Sequence, residues 1–270
     1  MPKKIVHKVE PEMNRGDIYC TTYQMRSFYR QLGDGFFTNL DVMNYIQHHR
    51  AAMMIRKGWN VLDVCCGRSL MLPLIRYHAK DIGEYVGVDI SEKNLNEAQT
   101  RCPTGKDIDH RERYPFRHSW VQADVAEMSK HLQANHFDLV IYTSAIEHMT
   151  KDAGAQSLRE CRAVAKPGAT LFLSSPNTSG GQETQYAAHL YEWPMSELQA
   201  EAQRSGWRVD EVVGLVANIR DIERMIAVQP ALRKAYEAQA KHLPREWLTA
   251  LWGIPFPQIA KEVLWVCKAT

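Results

Sequence analysis

Short apolar runs alternate along this chain with longer stretches at helical spacing. Val61 to Val64 is apolar and rich in β-branched residues, broken only by Asp63, and reads as a buried strand. Small residues follow it, Cys65-Cys66-Gly67-Arg68-Ser69, and a helix-compatible run from Leu70 to His78 comes almost at once. A strand that stops at small residues and feeds a helix leaves backbone N–H groups pointing at open space, a setting suited to polar groups of a nucleotide-like ligand. The alternation then repeats. Strands are expected from Tyr85 to Ile90, Ser119 to Ala123, Phe137 to Tyr142, Ala169 to Ser174, Arg208 to Leu215 and Glu262 to Cys267. Between them, helices are expected from Glu92 to Arg101 with Ser91 as cap, from about Ala126 to Gln133, from Ala153 to Val164 and from Met195 to Ser205. Lys166-Pro167-Gly168 reads as the turn into the fifth strand. The pattern predicts an α/β fold, a seven-stranded, mostly parallel sheet with helices on both faces. Ligands on such sheets bind outside the carboxyl ends of the strands.

Two segments stand outside this alternation. Residues 1–57 are expected to form an N-terminal helical lid segment. One helix carries Tyr23, Met25, Phe28, Tyr29 and Leu32, Gly33-Asp34-Gly35 breaks it, and a second runs from about Asn39 to Ile55. Tyr23, Tyr29 or His48 are its candidate ligand contacts, against plain packing on a domain edge. Residues 216–261 sit where a short hairpin would be ordinary, yet Ile222, Met225 and Ile226, then Leu232, Tyr236 and Leu243, recur at helical spacing. We read a helical insertion that packs on residues 18–57 as a lid; a homodimer surface is the competing reading. The core is then 58–215 together with 262–270.

Composition narrows the classes. The chain has 270 residues, enough for one large domain or one domain with an appendage. Lys plus Arg number 33 against 31 Asp plus Glu, too even to imply a nucleic-acid binder from bulk charge. A local basic stretch, Arg101, Lys106, His110, Arg111, Arg113, Arg117 and His118, is interspersed with Asp107, Asp109 and Glu112. It reads as a solvated loop, or more sharply as a phosphate-contacting flap. The charged N-terminus does not resemble a signal peptide, and no run approaches the roughly 18 apolar residues of a membrane span. Six cysteines form no CxxC pair and no zinc spacing, so reduced thiols and a cytoplasmic protein are expected.

Three carboxylates fall at strand ends: Asp63 within the first strand, Asp89 closing the second and Asp124 following the third. Asp89 can accept from both hydroxyls of a ribose, and Asp124 from an exocyclic amine such as adenine's. Each alone reads as a turn or helix cap; three at successive strand ends favour a nucleoside. The turn after the first strand holds one glycine, Gly67, far from the G-x-G-x-x-G that cradles a pyrophosphate. An adenosine without phosphates fits better.

In this order the motifs resemble those of the class I S-adenosylmethionine-dependent methyltransferases. They are Val61-Leu62-Asp63-Val64-Cys65-Cys66-Gly67-Arg68-Ser69, Val86-Gly87-Val88-Asp89-Ile90-Ser91, Gln122-Ala123-Asp124-Val125, the stretch from Phe137 to Met149, and that from Ala165 to Asn177. The resemblance implies S-adenosyl-L-methionine as cofactor and S-adenosyl-L-homocysteine as product. It implies that the turn Asp63, Cys65, Cys66, Gly67 and Ser69 supports the methionine part. Asp89 then binds the ribose with Ile90 against the adenine, Asp124 and Val125 meet the adenine edge, and Tyr142 and Thr143 line the space beside the methyl. Cys65 and Ser69 depart from the family's glycines and add side chains in a tight turn.

Methyl transfer from a sulfonium is an in-line displacement, so alignment of the nucleophile is the main task; it can contribute about 7–11 kcal/mol. An oxygen or nitrogen nucleophile also gains from a base. Glu147-His148 after the fourth strand is one candidate pair, against a cap and a packed ring. A metal reading of this pair needs a second Glu and His nearby; Met149-Thr150-Lys151-Asp152 does not supply them, and no metal is expected. The second candidate is the loop from Asn177 to Trp193, read as a substrate wall with His189 or Tyr191 as polar contacts, or as a surface loop with Trp193 in the core. The leading expectation is methyl transfer to an O, N or C atom of a small molecule. A nucleic-acid acceptor is the alternative, and a cofactor-binding subunit without activity is the third. Tyr142-Thr143-Ser144-Ala145 is not the Asp/Asn-Pro-Pro-aromatic motif of base-amine DNA methylation.

Overall fold

A computed structural model describes residues 38–79, 81–102, 114–178 and 188–270. The expected helix before Gly33, most of the basic stretch and the middle of the 177–193 loop lie outside the described residues. Chain order is α1 (Asn39–Met54), β1 (Asn60–Val64), α2 (Met71–His78), β2 (Glu84–Asp89), α3 (Glu92–Arg101), β3 (Arg117–Gln122), β4 (Phe137–Thr143), α4 (Lys151–Val164), β5 (Ala165–Pro176), α5 (Met195–Arg204), β6 (Trp207–Ala217), α6 (Ile219–Val228), α7 (Arg233–Ala240), α8 (Arg245–Gly253) and β7 (Ala260–Ala269).

The strands form one seven-stranded sheet in the order β3-β2-β1-β4-β5-β7-β6, with β7 antiparallel to both neighbours and the other pairings parallel. Strand β1 pairs with β2 on one side and β4 on the other, so the chain reverses its direction of winding there and a crevice opens at the carboxyl ends. The side-chain alternation of each strand feeds two apolar layers. Leu62, Val64, Val140, Tyr142, Leu171 and Leu173 pack with Leu158, Cys161 and Val164 of α4 and Leu198 of α5. Val61, Leu139, Ile141 and Phe172 point the other way, onto Ala51 and Ala52 of α1 and Leu72 and Ile75 of α2. Burial on both faces is why these strands read as near-continuous apolar runs.

Helix α1 starts in a capping box: Thr38 Oγ1 accepts from the Asp41 N–H, and Asp41 accepts from the Thr38 N–H. Two elements differ from expectation. Where an α-helix was expected from about 126, the chain makes a 3₁₀ segment, Val125–Lys130, with Asp124 as its cap. Lys166-Pro167-Gly168 does not precede β5 but lies inside it: Ala165 already pairs with Phe137, the register shifts, and pairing resumes at Leu139 with Thr170. Proline and a positive-φ glycine (Gly168, +74°) are tolerated in a strand at such an irregularity.

The stretch between β6 and β7 is helical, as expected. Its last helix, α8, lies so close to β6 that a Cβ on Gly214 would stand 2.2 Å from the Gly253 carbonyl oxygen. Val42 of α1, Val216 of β6 and Ala250 of α8 form one small apolar cluster, so the N-terminal helix and the insertion meet on β6. Among the described residues no helix is long and apolar enough to cross a membrane. Cys65, Cys66, Cys102, Cys161 and Cys267 are free thiols.

Candidate functional site

A cavity of about 740 Å³ opens at the carboxyl ends of β1, β2 and β4, closed on one side by α1. Asp63, Asp89 and Asp124 all line it. The turn after β1 sets its floor. Cys66 N–H donates to the Val88 carbonyl at 2.9 Å, and Ser69 N–H to the Cys66 carbonyl at 2.8 Å. Cys65, Gly67 and Ser69 sit at φ of 54°, 52° and 54°. The turn rests on β2 at Gly87, where a Cβ would meet Cys66 Sγ at 2.8 Å; only glycine lets the two approach so closely.

Asp89 is buried, and its carboxylate joins the two turns. Oδ2 accepts from Gly67 N–H and Oδ1 from Ser91 N–H, both at 2.8 Å. A carboxylate oxygen has two lone pairs, so a carboxylate in this place can serve more than one donor. Asp63 accepts from the Tyr85 hydroxyl at 2.6 Å. Burial pushes its carboxyl up to about 7; the Tyr85 bond opposes this and the Asp89 charge adds to it. Asp124 is exposed and accepts from Ala126 N–H at 2.9 Å, so it is a cap as well as part of the wall. Arg68, buried behind the turn, pairs with Glu97 of α3 at 2.7 Å.

Of the other expected cofactor residues, Cys65, Cys66, Gly67, Ile90, Val125 and Thr143 line the cavity. Ile90 is 68% exposed, a large apolar side chain left open at the mouth. Ser69 and Tyr142 are not on the wall. Ser69 is buried and accepts from the Trp120 indole at 2.7 Å. Tyr142 shares its face of β4 with Val140, so it points into the core, its hydroxyl 3.0 Å from Ser157 Oγ. The tyrosine expected beside the methyl is thus a core residue that does not line the cavity.

The candidate chemical groups divide likewise. His148 lines the cavity; burial lowers its pKa, and its Nδ1 lies 3.3 Å from the Ala188 carbonyl oxygen. Glu147 points behind the wall. Burial pushes its carboxyl well above the usual range, with Glu262 and Glu192 adding to this, while its backbone carbonyl accepts from Leu190 and Tyr191 N–H. His189 is off the wall, its Nδ1 on the Glu192 carboxylate, and its ring centroid is 4.8 Å from that of His148. Glu147, His148 and His189 each bring one ligand atom within 4.8 Å of the others. The local search after β4 missed this grouping, because His189 and Glu192 arrive from beyond β5. Tyr191 is not a cavity contact: its hydroxyl donates to Glu197 at 2.6 Å and Lys151 lies over its ring. Trp193 is fully buried in the core.

One polar network has no counterpart in the sequence reading. Ser174 Oγ donates to Gln47 Oε1 at 2.7 Å, Gln47 Nε2 to Ser144 Oγ at 3.3 Å, and Ser144 Oγ to Glu262 at 2.9 Å. Gln47 and Ser144 reach the wall, beside His48. Burial, followed by the neighbouring His49, lowers His48 to about 4, and burial raises Glu262 to about 7 against its serine bonds. A lone Glu within the apolar last strand was the one signal available for this network.

With this geometry in view, the likenesses to known proteins are specific. Residues 61–168 match the family model described as a methyltransferase domain. The mRNA cap guanine-N(7) methyltransferase 1 of Oryza sativa subsp. japonica is 27% identical over 141 residues, 50% of this chain and 38% of that protein. A ubiquinone biosynthesis O-methyltransferase of Nitrosospira multiformis is 26% identical over 191 residues, 65% of this chain and 72% of that protein. Others of the latter kind are matched over about half their length, 48% for that of Coxiella burnetii. Among solved structures, Burkholderia thailandensis 1,6-didemethyltoxoflavin-N1-methyltransferase, with bound 1,6-didemethyltoxoflavin and S-adenosylhomocysteine, superposes with a TM-score of 0.53 at 15% identity, covering 97% of this chain and 93% of that one; at this identity the likeness is one of fold. Over residues 61–168 the chain is similar to that methyltransferase domain family, and its seven-stranded sheet has the Rossmann-like methyltransferase fold.

Proposed function

We propose that the chain transfers a methyl group from S-adenosylmethionine to a small-molecule acceptor. One observation carries the reading. Among the described residues the cavity is lined by four aspartates, Asp41, Asp63, Asp89 and Asp124, and by no Lys or Arg. Burial holds Asp63 towards its neutral form, but the remaining carboxylates, with no cation on the wall to oppose them, favour a cation such as a sulfonium or ammonium over a phosphate. The same wall holds the buried Asp89 carboxylate and apolar Ile90 and Val125, so its residues fit an adenosyl sulfonium.

In this reading Asp89 holds the ribose hydroxyls, Ile90 and Val125 flank the adenine with Asp124 at its edge, and the Cys65–Gly67 turn with Asp63 holds the amino-acid end. S-adenosylmethionine, when bound, supplies a methyl group already activated by its positive sulfur. The chain's task is placement. The acceptor's share of the cavity is walled by Asn44, His48, Leu74, Met149 and Leu190, mostly apolar with a few hydrogen-bonding groups, as for small neutral ligands. Its proton leaves at the His148 end. Helix α1 covers this share, and the 216–261 insertion braces α1 from behind through Ala250.

Calorimetry with S-adenosylhomocysteine tests the reading. One site per chain is expected, weakened roughly 10- to 100-fold in Asp89→Ala, which removes hydrogen bonds to a charged acceptor. No heat with either S-adenosylmethionine or its product would end it. Polynucleotide binding with a steep salt dependence would instead favour a nucleic-acid acceptor.

A further inference from the structure

We propose that Glu147, His148 and His189 hold one divalent first-row transition ion at the edge of the cavity. Three observations meet there. Their ligand atoms lie within 4.8 Å of one another, close enough for small side-chain shifts to gather them around one ion. The Glu147 side chain is buried, the residue only 2% exposed, and its Oε2 has no hydrogen-bond partner among the described residues. A buried carboxylate oxygen left unmatched is costly, and a cation beside it removes the cost. The two rings are also oriented for the task. The Ala188 carbonyl can only accept, so the His148 Nδ1 facing it carries the proton, and Nε2 keeps its lone pair. His189 Nδ1 lies on the Glu192 carboxylate, the kind of outer-shell partner that orients a metal-ligating imidazole.

Structural clamping does not account for all of this. The Glu147 backbone carbonyl alone takes the Leu190 and Tyr191 N–H groups and ties the two segments together; the side-chain oxygen is not needed for that. Two imidazoles and one carboxylate suit Zn²⁺, Fe²⁺, Co²⁺ or Mn²⁺. Three protein ligands leave at least one position for water or an acceptor heteroatom, and one of the three, His148, lines the cavity. The role of the ion rests on the methyltransferase reading: it would labilise the acceptor's proton, with His148 its ligand. Its binding does not rest on that reading.

The test is metal content, not turnover. The full chain is stripped with a chelator, dialysed against Zn²⁺ or Mn²⁺, and assayed for bound metal and, with Mn²⁺, by electron paramagnetic resonance. One ion per chain is expected. His189→Asn and the near-isosteric Glu147→Gln should each lose it at the same free-metal concentration, and Glu192→Gln should weaken it about 10- to 100-fold. His78→Ala, which breaks the surface His49–His78 contact, should leave it unchanged. Failure of the wild-type chain to retain a stoichiometric ion would overturn the proposal, as would undiminished binding in Glu147→Gln and His189→Asn, or loss confined to His78→Ala. Calorimetry with S-adenosylhomocysteine on the same samples separates the two readings: product binding without metal sinks only the ion site, and metal without product binding sinks only the cofactor assignment.

Discussion

Two residues of the first turn occupy backbone that glycine favours. Cys65 and Ser69, each at φ 54°, stand where the family pattern has glycine, at a cost of about 1–2 kcal/mol each for a side chain in the left-handed region. Ser69 gains something in return, because its hydroxyl takes the Trp120 indole hydrogen. Ser69→Ala keeps the strain and loses the bond, so urea unfolding should show a loss of about 1 kcal/mol or more. Ser69→Gly loses the bond and relieves the strain, and should come out close to neutral; equal effects of the two would refute this account. Beside the turn, Asp63 makes stability depend on pH. Its folded pKa, about 7, lies above its ordinary 3.8, so the folded chain binds the proton more tightly, and the contribution is full in acid and lost as pH rises through 7. His48, lowered to about 4, runs the other way, gaining stability from about pH 4 to 6.5. Subtracting Asp63→Asn isolates the first effect. Wild type should lose ground to the variant from about pH 4 to 7, at no more than about 1.4 kcal/mol per unit. A difference that is flat or rises with pH would show that Asp63 is ionised in the fold.

At the scale of elements, what the sequence made legible was whatever is local or periodic. Strands buried on both faces are apolar runs, Ser91 is a helix cap, and the strand-end aspartates sit at fixed places in that rhythm. Parity within a strand was not legible from motif position alone. Tyr142 and Thr143 are neighbours, yet one enters the core and the other the cavity. Sequence-distant groupings were invisible for a different reason. Gln47, Ser144, Ser174 and Glu262 are separated by up to 127 residues within single hydrogen bonds, and His189 reaches Glu147 only because the chain after β5 folds back over β4. Gly87 shows how a motif position acquires meaning from a neighbouring element: it is small because Cys66 lies on it. In Gly87→Ala the new methyl would press the first turn away from β2. We expect about 1–3 kcal/mol of lost stability from overpacking, and weaker S-adenosylhomocysteine binding because Gly67 and Asp89 lose register. Unchanged product affinity in a destabilised variant would mean that the turn does not hold the ligand.

For the molecule as a whole, the cavity has two walls with different supports. Asp63, Asp89 and the first turn hang from the centre of the parallel sheet, whereas Gln47, His48 and His49 hang from α1. Helix α1 is itself held by the antiparallel edge, where Val42 packs with Val216 and Ala250. Damage to that edge should therefore reach the acceptor wall and spare the other. Gly214 is the place to apply it, since a methyl there would lie 2.2 Å from the Gly253 carbonyl oxygen and 2.6 Å from Ala260 Cβ, and neither is the end of a flexible side chain. Helix α8 must move outward, and Ala250 moves with it. Gly214→Ala should cost about 1–3 kcal/mol in unfolding free energy. It should shift the His48 ring resonances in NMR spectra while those of His118, at the far edge on β3, stay in place, and it should leave the S-adenosylhomocysteine dissociation constant within about threefold. If product affinity falls as far in Gly214→Ala as in Asp89→Ala, the two walls are one mechanical unit, and α1 has to be counted among the elements that hold the cofactor rather than the acceptor.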